Sequence, residues 1–434
     1  MRERFCELSG ALEKELRAGE VLLCNLSAER SDFVRFNRGL VRQAGTVEQA
    51  YLTLRLARER RQAQATLPLG EFDAAKTALA TLRDSLAGLP ADPLFLVNEE
   101  PRSTSTERRG RLAPAEAVVE RAVGEAKGRD MVGFYAGGTL YRGFANSLGQ
   151  RNWHEVDSFN FDWSLYLRGD RAVKTSYAGF EWDAAAFAGK MAGAAEQVGQ
   201  LAPPRRTLEP GDYRAYLAPA ALNELMGLLC WGGFSARARQ TRQSPLLLMQ
   251  EGRTLSPLVT LAEDVAHGIA PAFQGQGFLK PPRVELITQG RLGDPLVSPR
   301  SAKEYGLSTN GAGGGEAPDS LDMAPGALEE GAVLGELDRG LYIPNLWYLN
   351  FSDRPAGRIT GMTRFATFWV EAGRIAGPVT PMRFDDSVYR MLGSELAGLT
   401  CTAEMLPDPS TYGERSTSSA RLPGALLKGL RFTL

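Results

Sequence analysis

From residue 341 the chain reads Leu341-Tyr-Ile-Pro-Asn-Leu-Trp-Tyr-Leu-Asn-Phe-Ser-Asp-Arg354, and from residue 361 it reads Gly361-Met-Thr-Arg-Phe-Ala-Thr-Phe-Trp-Val-Glu371. Short apolar runs that are broken by glycine and proline are typical of strands. Gly340–Leu349, Phe365–Glu371 and, earlier, Arg283–Thr288 have this pattern. The sequence therefore predicts a C-terminal domain that is dominated by a large antiparallel sheet or barrel.

The same segments carry candidate binding residues. Interleaved aromatic, asparagine and arginine side chains can bind an extended peptide by stacking, amide contacts and edge-strand hydrogen bonds. The candidates for contact with a substrate or a partner are Trp347, Tyr348, Asn350, Arg354 and Arg364. A sheet with aromatic core positions and salt-bridged edges explains the pattern equally well, so both interpretations stay open.

The first half of the chain mixes helix and strand patterns. Apolar residues at helical spacing predict helices over Phe72–Leu86, from Pro114 to Lys127 and over Asp183–Val198. Alternation predicts strands at Met131–Tyr135, Leu140–Ala145 and Phe159–Leu167. We therefore expect an α+β protein with an N-terminal mixed α/β domain of small sheets and helices.

A proline-rich stretch marks the expected domain boundary. Pro203 to Gly211 has the composition of an interdomain connection. We predict an N-terminal domain at residues 1–200, open to division into 1–100 and 101–200, a linker at 201–211 and a mostly β domain at 212–434.

Composition excludes several kinds of partner. Lys and Arg number 50 against 51 Asp and Glu, so no global field draws the chain to nucleic acid or anionic lipid. No apolar run approaches the roughly 20 residues that span a bilayer, and the N-terminus lacks a hydrophobic signal core. Four scattered cysteines without CxxC spacing are typical of reduced thiols. We expect a cytoplasmic protein.

Histidine is the scarcest ligand type, because the chain contains only His154 and His267. His154-Glu155 resembles half of a zinc-peptidase motif, but residues 158 and 159 are Ser and Phe and the stretch has strand periodicity. We therefore predict no metal ligand and no catalytic residue in this chain.

Two further patterns are weak. Gly311 to Gly315 can in principle cradle a phosphate, but no Gly-Lys-Ser/Thr follows, which favours a mobile loop. Cys230 and His267 can in principle form a nucleophile and base. Because Cys230 ends an apolar helical stripe, an inert buried thiol is the simpler interpretation.

Several motifs resemble the TldD/PmbA family, also called TldD/TldE and once labelled modulators of DNA gyrase. Val284-Glu-Leu-Ile-Thr-Gln-Gly-Arg-Leu292, with Ser301-Ala302 and Gly306–Thr309, is similar to the family's LIxxGxL strand and following loop. Phe368-Trp-Val-Glu-Ala-Gly-Arg-Ile375, with Pro378-Val379, is similar to its FWVExGxIxxPV strand pair. Weaker similarities at Asn146–Gly149 and around Arg38–Leu40 extend the resemblance over essentially the whole chain.

The resemblance implies a particular type of subunit. The family pairs a D-type subunit, which carries a helical His-Glu-x-x-x-His zinc motif, with an E-type subunit that lacks it. Here Cys230, Trp231 and Ser235 occupy the positions of that motif, and Phe273-Gln-Gly-Gln-Gly277 stands where D-type members show an acidic FDxEG.

The implied function is that of the non-catalytic E-type subunit of a cytoplasmic metallopeptidase acting on unfolded or extended peptides. No cofactor is expected in this chain, zinc is expected in the D-type partner, and the isolated chain can form a homodimer. Two alternatives stay open. One is a stand-alone hydrolase based on Cys230, and the other is a homodimeric scaffold or binding module without a proteolytic role.

Overall fold

The computed structural model describes residues 1–433, in which the strands form two large sheets. The strands of the first sheet are β1 (Val21–Asn37), β2 (Leu40–Arg58), β3 (Arg61–Pro68), β4 (Ser105–Arg108), β5 (Asp130–Asn146), β6 (Arg151–Arg168) and β7 (Arg171–Gly179). Those of the second are β8 (Gly211–Leu217), β9 (Leu261–Asp264), β10 (Arg283–Thr288), β11 (Arg291–Leu292), β12 (Ser320–Met323), β13 (Gly340–Ile343), β14 (Leu346–Asp353), β15 (Arg358–Thr363), β16 (Phe368–Glu371), β17 (Arg374–Pro378), β18 (Arg383–Ser387), β19 (Leu396–Pro407) and β20 (Ser419–Phe432).

The helices lie before and between these strands. They are α1 (Arg2–Glu13), α2 (Phe72–Leu86), α3 (Ala115–Glu125), α4 (Ala184–Gln200), α5 (Pro219–Cys230), α6 (Ala236–Gln240), α7 (Leu247–Gln250), α8 (Pro299–Tyr305) and α9 (Val333–Leu337). The predicted α+β class is confirmed. Among the helices of residues 1–433, none combines the length and the apolar character that a bilayer crossing requires.

The first sheet has the strand order β3-β2-β1-β5-β6-β4, with β7 also paired to β6. A tight turn at Arg38-Gly39, with φ of 53° and 71°, joins β1 to β2. Strand β5 continues through Gly137-Gly138, where the sequence predicts a break between two strands. These glycines mark close approach rather than a turn, since a Cβ on Gly138 would lie 2.1 Å from the Arg30 carbonyl oxygen.

Four helices cover one face of this sheet. Helices α1 and α2 pack over one end, where Leu12 and Leu79 are buried against β1 and β2, and α3 and α4 pack over the other end. Helix α2 begins and ends where the apolar spacing predicts. Helix α4 begins after Asp183, whose carboxylate accepts from the backbone N–H groups of Ala185 and Ala186.

The opposite face of the first sheet packs against the second half of the chain. Phe144 contacts Phe273, and Leu140 contacts Ile269, in two small apolar clusters. Arg415, which is 6% exposed, donates to the Ser158 carbonyl and hydroxyl oxygens at 2.9 Å. The first sheet therefore lies between the four helices and the C-terminal half of the chain, and its second face contacts loops of that half.

The second sheet has β20 near its centre. Strand β20 pairs in parallel with β12 and antiparallel with β8, β18 and β19. Helix α5 inserts Leu222, Leu225, Met226 and Leu229 into its core. Within the described residues the strands form an open sheet with branches, so of the two predicted forms the sheet is confirmed rather than the closed barrel.

Candidate functional site

The end of helix α5 carries the three positions where the resemblance places the D-type zinc motif. The helix ends at Cys230, because Gly232 adopts a left-handed conformation with φ of 85° and Trp231 leaves the helical region. Ser235 begins the short helix α6 as its N-cap. The three positions therefore do not share one helix, whereas the resemblance implies a single helix.

The Cys230 side chain is partly buried and packs against the core. Burial, with a smaller contribution from the Glu263 carboxylate, raises its pKa to about 12. At neutral pH a thiol of this kind is protonated and is a weak nucleophile and a poor metal ligand. Its candidate base, His267, is exposed and places Nδ1 at 3.0 Å from the Asp264 carboxylate.

Ser235 is used for a structural purpose. Its hydroxyl donates to the Glu316 carboxylate at 2.6 Å and accepts from the Ala238 N–H at 3.0 Å. The same carboxylate accepts from the backbone N–H groups of Arg237, at 2.9 Å, and Ser298, at 2.8 Å. Glu316 thus joins the beginnings of two helices, α6 and α8.

The contacts of Glu316 also change the interpretation of the glycine-rich segment that contains it. Composition favours a mobile loop over Ser308–Pro318. In the structure it lacks helix and strand, but Ala312 and Glu316 are buried within it. The segment is therefore anchored to the protein interior at its end.

Zinc does not fit the residues at the three motif positions. The Cys230 thiol resists ionisation, Trp231 has no metal-binding group and the Ser235 hydroxyl is committed to Glu316. Across residues 1–433, no group of three or more His, Cys, Asp or Glu side chains has an arrangement that could hold a metal ion.

The second histidine lies elsewhere, inside strand β6. His154 is 5% exposed, and its Nε2 lies 3.0 Å from the Ile269 carbonyl oxygen, so Nε2–H donates to it. Burial lowers the pKa of His154 to about 4, against an opposing effect of that hydrogen bond. His154 is therefore a neutral residue at the contact between the first sheet and the C-terminal half.

Strand β14 presents the exposed aromatic residues that the sequence singled out. Trp347 is 48% exposed and Tyr348 is 75% exposed. The register between β14 and β15 shifts after Trp347, and Tyr348 has φ of 56°, which is unfavourable for a residue with a side chain. The Arg364 guanidinium lies 4.6 Å from the centre of the Trp347 ring. A bulge therefore turns two aromatic rings towards solvent.

A cleft opens beside Trp347. It has a volume of about 370 Å³ and is lined by Trp347 and Arg364 together with Tyr166, Asp170 and Arg205. Asp170 accepts from Arg205 at 2.9 Å. We call these five residues the aromatic cleft. The sequence did not reveal the last three, because Tyr166 lies in a strand of the first sheet and Arg205 in the predicted linker.

The other two candidates make local contacts. Arg354 donates to the Gln243 carbonyl at 3.1 Å and to the Trp231 carbonyl, and its guanidinium lies 4.8 Å from the Trp231 ring centre. Asn350 accepts from the Phe351 N–H at 2.8 Å. Arg354 therefore joins the β14–β15 hairpin to the end of α5, and the structure separates it from the aromatic cleft.

A cavity of about 620 Å³ lies between the first sheet and the C-terminal loops. Phe273 and Gln274 of the segment that replaces the acidic FDxEG line it, as do Arg142 and Lys280. Both cations are paired within the cavity wall, Arg142 with Glu414 and Lys280 with Asp319. The sequence did not identify Arg142 and Lys280 as lining residues, because the acidic partners of both are distant along the chain.

Comparison with known proteins decides the family. The sequence profile described as the PmbA/TldA metallopeptidase C-terminal domain matches residues 210–434, which is more than half of the chain. The chain belongs to the TldD/PmbA family. No curated protein matches this member of the family in a sequence search.

Solved structures share the fold of this TldD/PmbA protein. TldE from Thermococcus kodakarensis superposes with a TM-score of 0.81 at 16% identity, covering 99% of this chain and 100% of that one. A candidate modulator of a DNA gyrase from Thermotoga maritima MSB8 gives 0.77 at 17% identity, with 100% of both chains covered. A candidate modulator of DNA gyrase from Bacteroides thetaiotaomicron VPI-5482 gives 0.79 at 16%, covering 99% and 98%.

Proposed function

We propose that this chain is the non-catalytic, E-type subunit of a two-component cytoplasmic peptidase. Its D-type partner supplies the zinc-bound water, and this chain helps to enclose unfolded or extended peptides. One observation carries the proposal: the positions of the D-type zinc motif hold a partly buried thiol with a raised pKa, an indole and a hydroxyl that caps a helix. The fold shared with TldE supports the assignment to the E type.

The aromatic cleft, together with the neighbouring exposed residue Tyr348, is the proposed contact surface for the peptide or the partner. Trp347 and Tyr348 expose rings that can stack on peptide side chains, and Arg364 supports the Trp347 ring through a cation–π contact. The positive φ of Tyr348 is unfavourable, and a strained exposed aromatic residue at a bulge is typical of a surface retained for binding.

Reconstitution tests the division of roles. The chain is produced alone and together with a D-type protein from the same organism that contains His-Glu-x-x-x-His. We expect the two to copurify, zinc to follow the D-type protein, and hydrolysis of an unfolded peptide to require that protein. Stoichiometric, tightly held zinc in the isolated chain, together with peptide turnover, would overturn the proposal.

Substitutions test the aromatic cleft and the neighbouring Tyr348. Where the residue is a central contact, we expect each of Trp347→Ala, Tyr348→Ala and Arg364→Ala to raise the KM for the peptide, or to raise the dissociation constant for the partner, by about tenfold or more. Tyr412→Ala is the matched control, because Tyr412 is fully exposed on another loop. If all three variants leave both assembly and turnover at the control level, the cleft has no such role.

Thiol chemistry separates this proposal from a hydrolase based on Cys230. With a pKa near 12, Cys230 in the folded protein should react with iodoacetamide far more slowly than in the unfolded chain. Cys230→Ser should leave peptide turnover by the reconstituted pair unchanged. Loss of turnover in a Cys230→Ser variant that assembles normally would favour the thiol mechanism instead.

A further inference from the structure

The Arg364 side chain brings unused hydrogen-bond donors to the aromatic cleft. Its guanidinium lies 4.6 Å from the centre of the Trp347 ring and 5.3 Å from that of the Phe365 ring. Across residues 1–433, this guanidinium forms no hydrogen bond and no ion pair. A guanidinium is a planar fork of N–H groups that matches the two oxygens of a carboxylate. The donors of Arg364 are therefore available to a carboxylate from outside the chain.

The backbone places Trp347 and Arg364 at the cleft through two unfavourable conformations. Tyr348 and Phe365, which directly follow these two residues, have φ of 56° and 58°. A bulky residue rarely adopts a positive φ, because its side chain then crowds the backbone. Such conformations are concentrated at active sites and ligand-binding segments. Two of them at one cleft favour a binding role over a purely structural one.

The charge around the cleft is positive, although the whole chain has a net charge of −1. The turn between β6 and β7 supplies Asp170 to the cleft and also carries Arg168 and Arg171. Asp170 is already paired with Arg205 at 2.9 Å, whereas Arg168, Arg171 and Arg364 form no ion pair within residues 1–433. The cleft should therefore attract an anionic ligand and repel a cationic one.

The rest of the lining is largely apolar. Met362, Phe365 and Pro381 line the cleft beside the Trp347 ring, which is 48% exposed. The volume of about 370 Å³ lies at the lower end of the roughly 300–1,000 Å³ of ligand pockets, so the cleft can admit side chains of an extended segment. The lining suits a carboxylate that is accompanied by apolar groups.

We propose that the aromatic cleft selects extended peptides in which an acidic side chain lies between apolar side chains. The carboxylate binds the N–H groups of Arg364, and the apolar neighbours pack against Trp347, Met362 and Phe365. A peptide with lysine in place of the acidic residue sets two cations against each other and is rejected. This inference rests on the proposed function, because it names the class of peptide that the aromatic cleft accepts.

Labelled peptides test the selection. A short unstructured peptide carries one glutamate between leucines and is otherwise uncharged, and two further peptides have glutamine or lysine at that position. By fluorescence anisotropy with the full chain, we expect the glutamate peptide to bind about tenfold more tightly than the glutamine peptide, and the lysine peptide to bind most weakly. The preference should shrink at about 1 M salt, where the Debye length is about 3 Å. Equal affinities, or no binding of the glutamate peptide, would overturn the proposal.

Substitution of Arg364 tests direct contact with the carboxylate. Arg364→Gln should weaken binding of the glutamate peptide about tenfold and leave that of the glutamine peptide within about twofold, because only the glutamate peptide loses a charged partner. Arg364→Glu should reverse the preference in favour of the lysine peptide. Arg60→Gln is the matched control, since Arg60 is exposed in the β2–β3 turn and forms no ion pair within residues 1–433. Equal weakening of both peptides by Arg364→Gln, or the same effect in Arg60→Gln, would contradict the proposal.

The reconstituted pair distinguishes this inference from the proposed function. If the full chain prefers the glutamate peptide but the pair with a D-type protein hydrolyses no peptide, the proposed function fails and the selection stands. If the pair hydrolyses peptides but the full chain does not distinguish glutamate from glutamine, the selection fails and the proposed function stands. If Arg364→Gln weakens assembly with the D-type protein and leaves peptide binding unchanged, the cleft contacts the partner and the selection is wrong.

Discussion

Replacing Glu316 should destabilise the protein strongly, because its carboxylate is buried and serves three donors. The donors are the Ser235 hydroxyl and the backbone N–H groups of Arg237 and Ser298, at 2.6 to 2.9 Å. Each buried donor that loses its acceptor costs about 1–3 kcal/mol. Because water can enter the space, we expect Glu316→Ala to lower the free energy of unfolding by about 3–5 kcal/mol. Glu316→Gln keeps the shape but turns an amide N–H₂ towards a donor, so we expect a loss of about 2 kcal/mol.

The same carboxylate should make stability depend on acid. Burial acts to raise the pKa of Glu316, but the hydrogen bonds it accepts outweigh that effect and hold the pKa below the ordinary 4.5. A carboxyl group with a depressed pKa contributes stability above its unfolded pKa and loses it as the pH falls through the folded value. Glu316→Gln should remove this part of the acid sensitivity.

Urea unfolding followed by tryptophan fluorescence measures both effects, at neutral pH and at a series of acidic pH values. Glu304→Gln is the matched control, since Glu304 is exposed on helix α8. If Glu316→Gln equals the control in stability and in acid dependence, the structural role assigned to Ser235 and Glu316 is wrong.

Two further predictions concern His154 and Tyr348. The folded pKa of His154, about 4, lies below its unfolded value of 6.5, so the free energy of unfolding should fall by on the order of 3 kcal/mol as the pH drops from 6.5 to 4. His154→Phe should flatten that part of a plot of unfolding free energy against pH. An unchanged slope would refute the assignment of His154 as a buried neutral residue. Tyr348→Gly relieves an unfavourable left-handed conformation and should leave the free energy of unfolding unchanged or up to about 1 kcal/mol higher. It should also weaken peptide binding or assembly with the partner, as Tyr348→Ala does. A clear loss of stability in chemical denaturation would count against strain at this position.

Local patterns predicted much of the secondary structure. Helix α2 has a regular apolar stripe and helix α4 has an aspartate N-cap, and these signals depend only on neighbouring residues. The sequence wrongly predicts a break at Gly137-Gly138, because glycine is common both in turns and where two backbones approach closely. Only the position of β1 distinguishes a turn from a close backbone approach here, and β1 is remote from Gly137-Gly138 in the sequence.

The candidate site was less predictable. Sequence indicated Trp347 and Arg364, but the cleft also needs Tyr166 and Arg205, which come from the first sheet and the segment after α4. Likewise Ser235 lies 81 residues from Glu316 along the chain. Pairings of this kind depend on tertiary packing, which neither periodicity nor spacing encodes.

The central place of β20 has a consequence for biosynthesis. This strand is the last element of the described chain, yet it lies between β12 and β8, and Leu426 pairs with Tyr216, which is translated much earlier. A nascent chain that has emerged only as far as residue 418 therefore leaves β8, β12, β18 and β19 without this partner strand and exposes part of its apolar interior. During that interval it should be a preferred client of ribosome-associated chaperones, whereas the first sheet can already have closed.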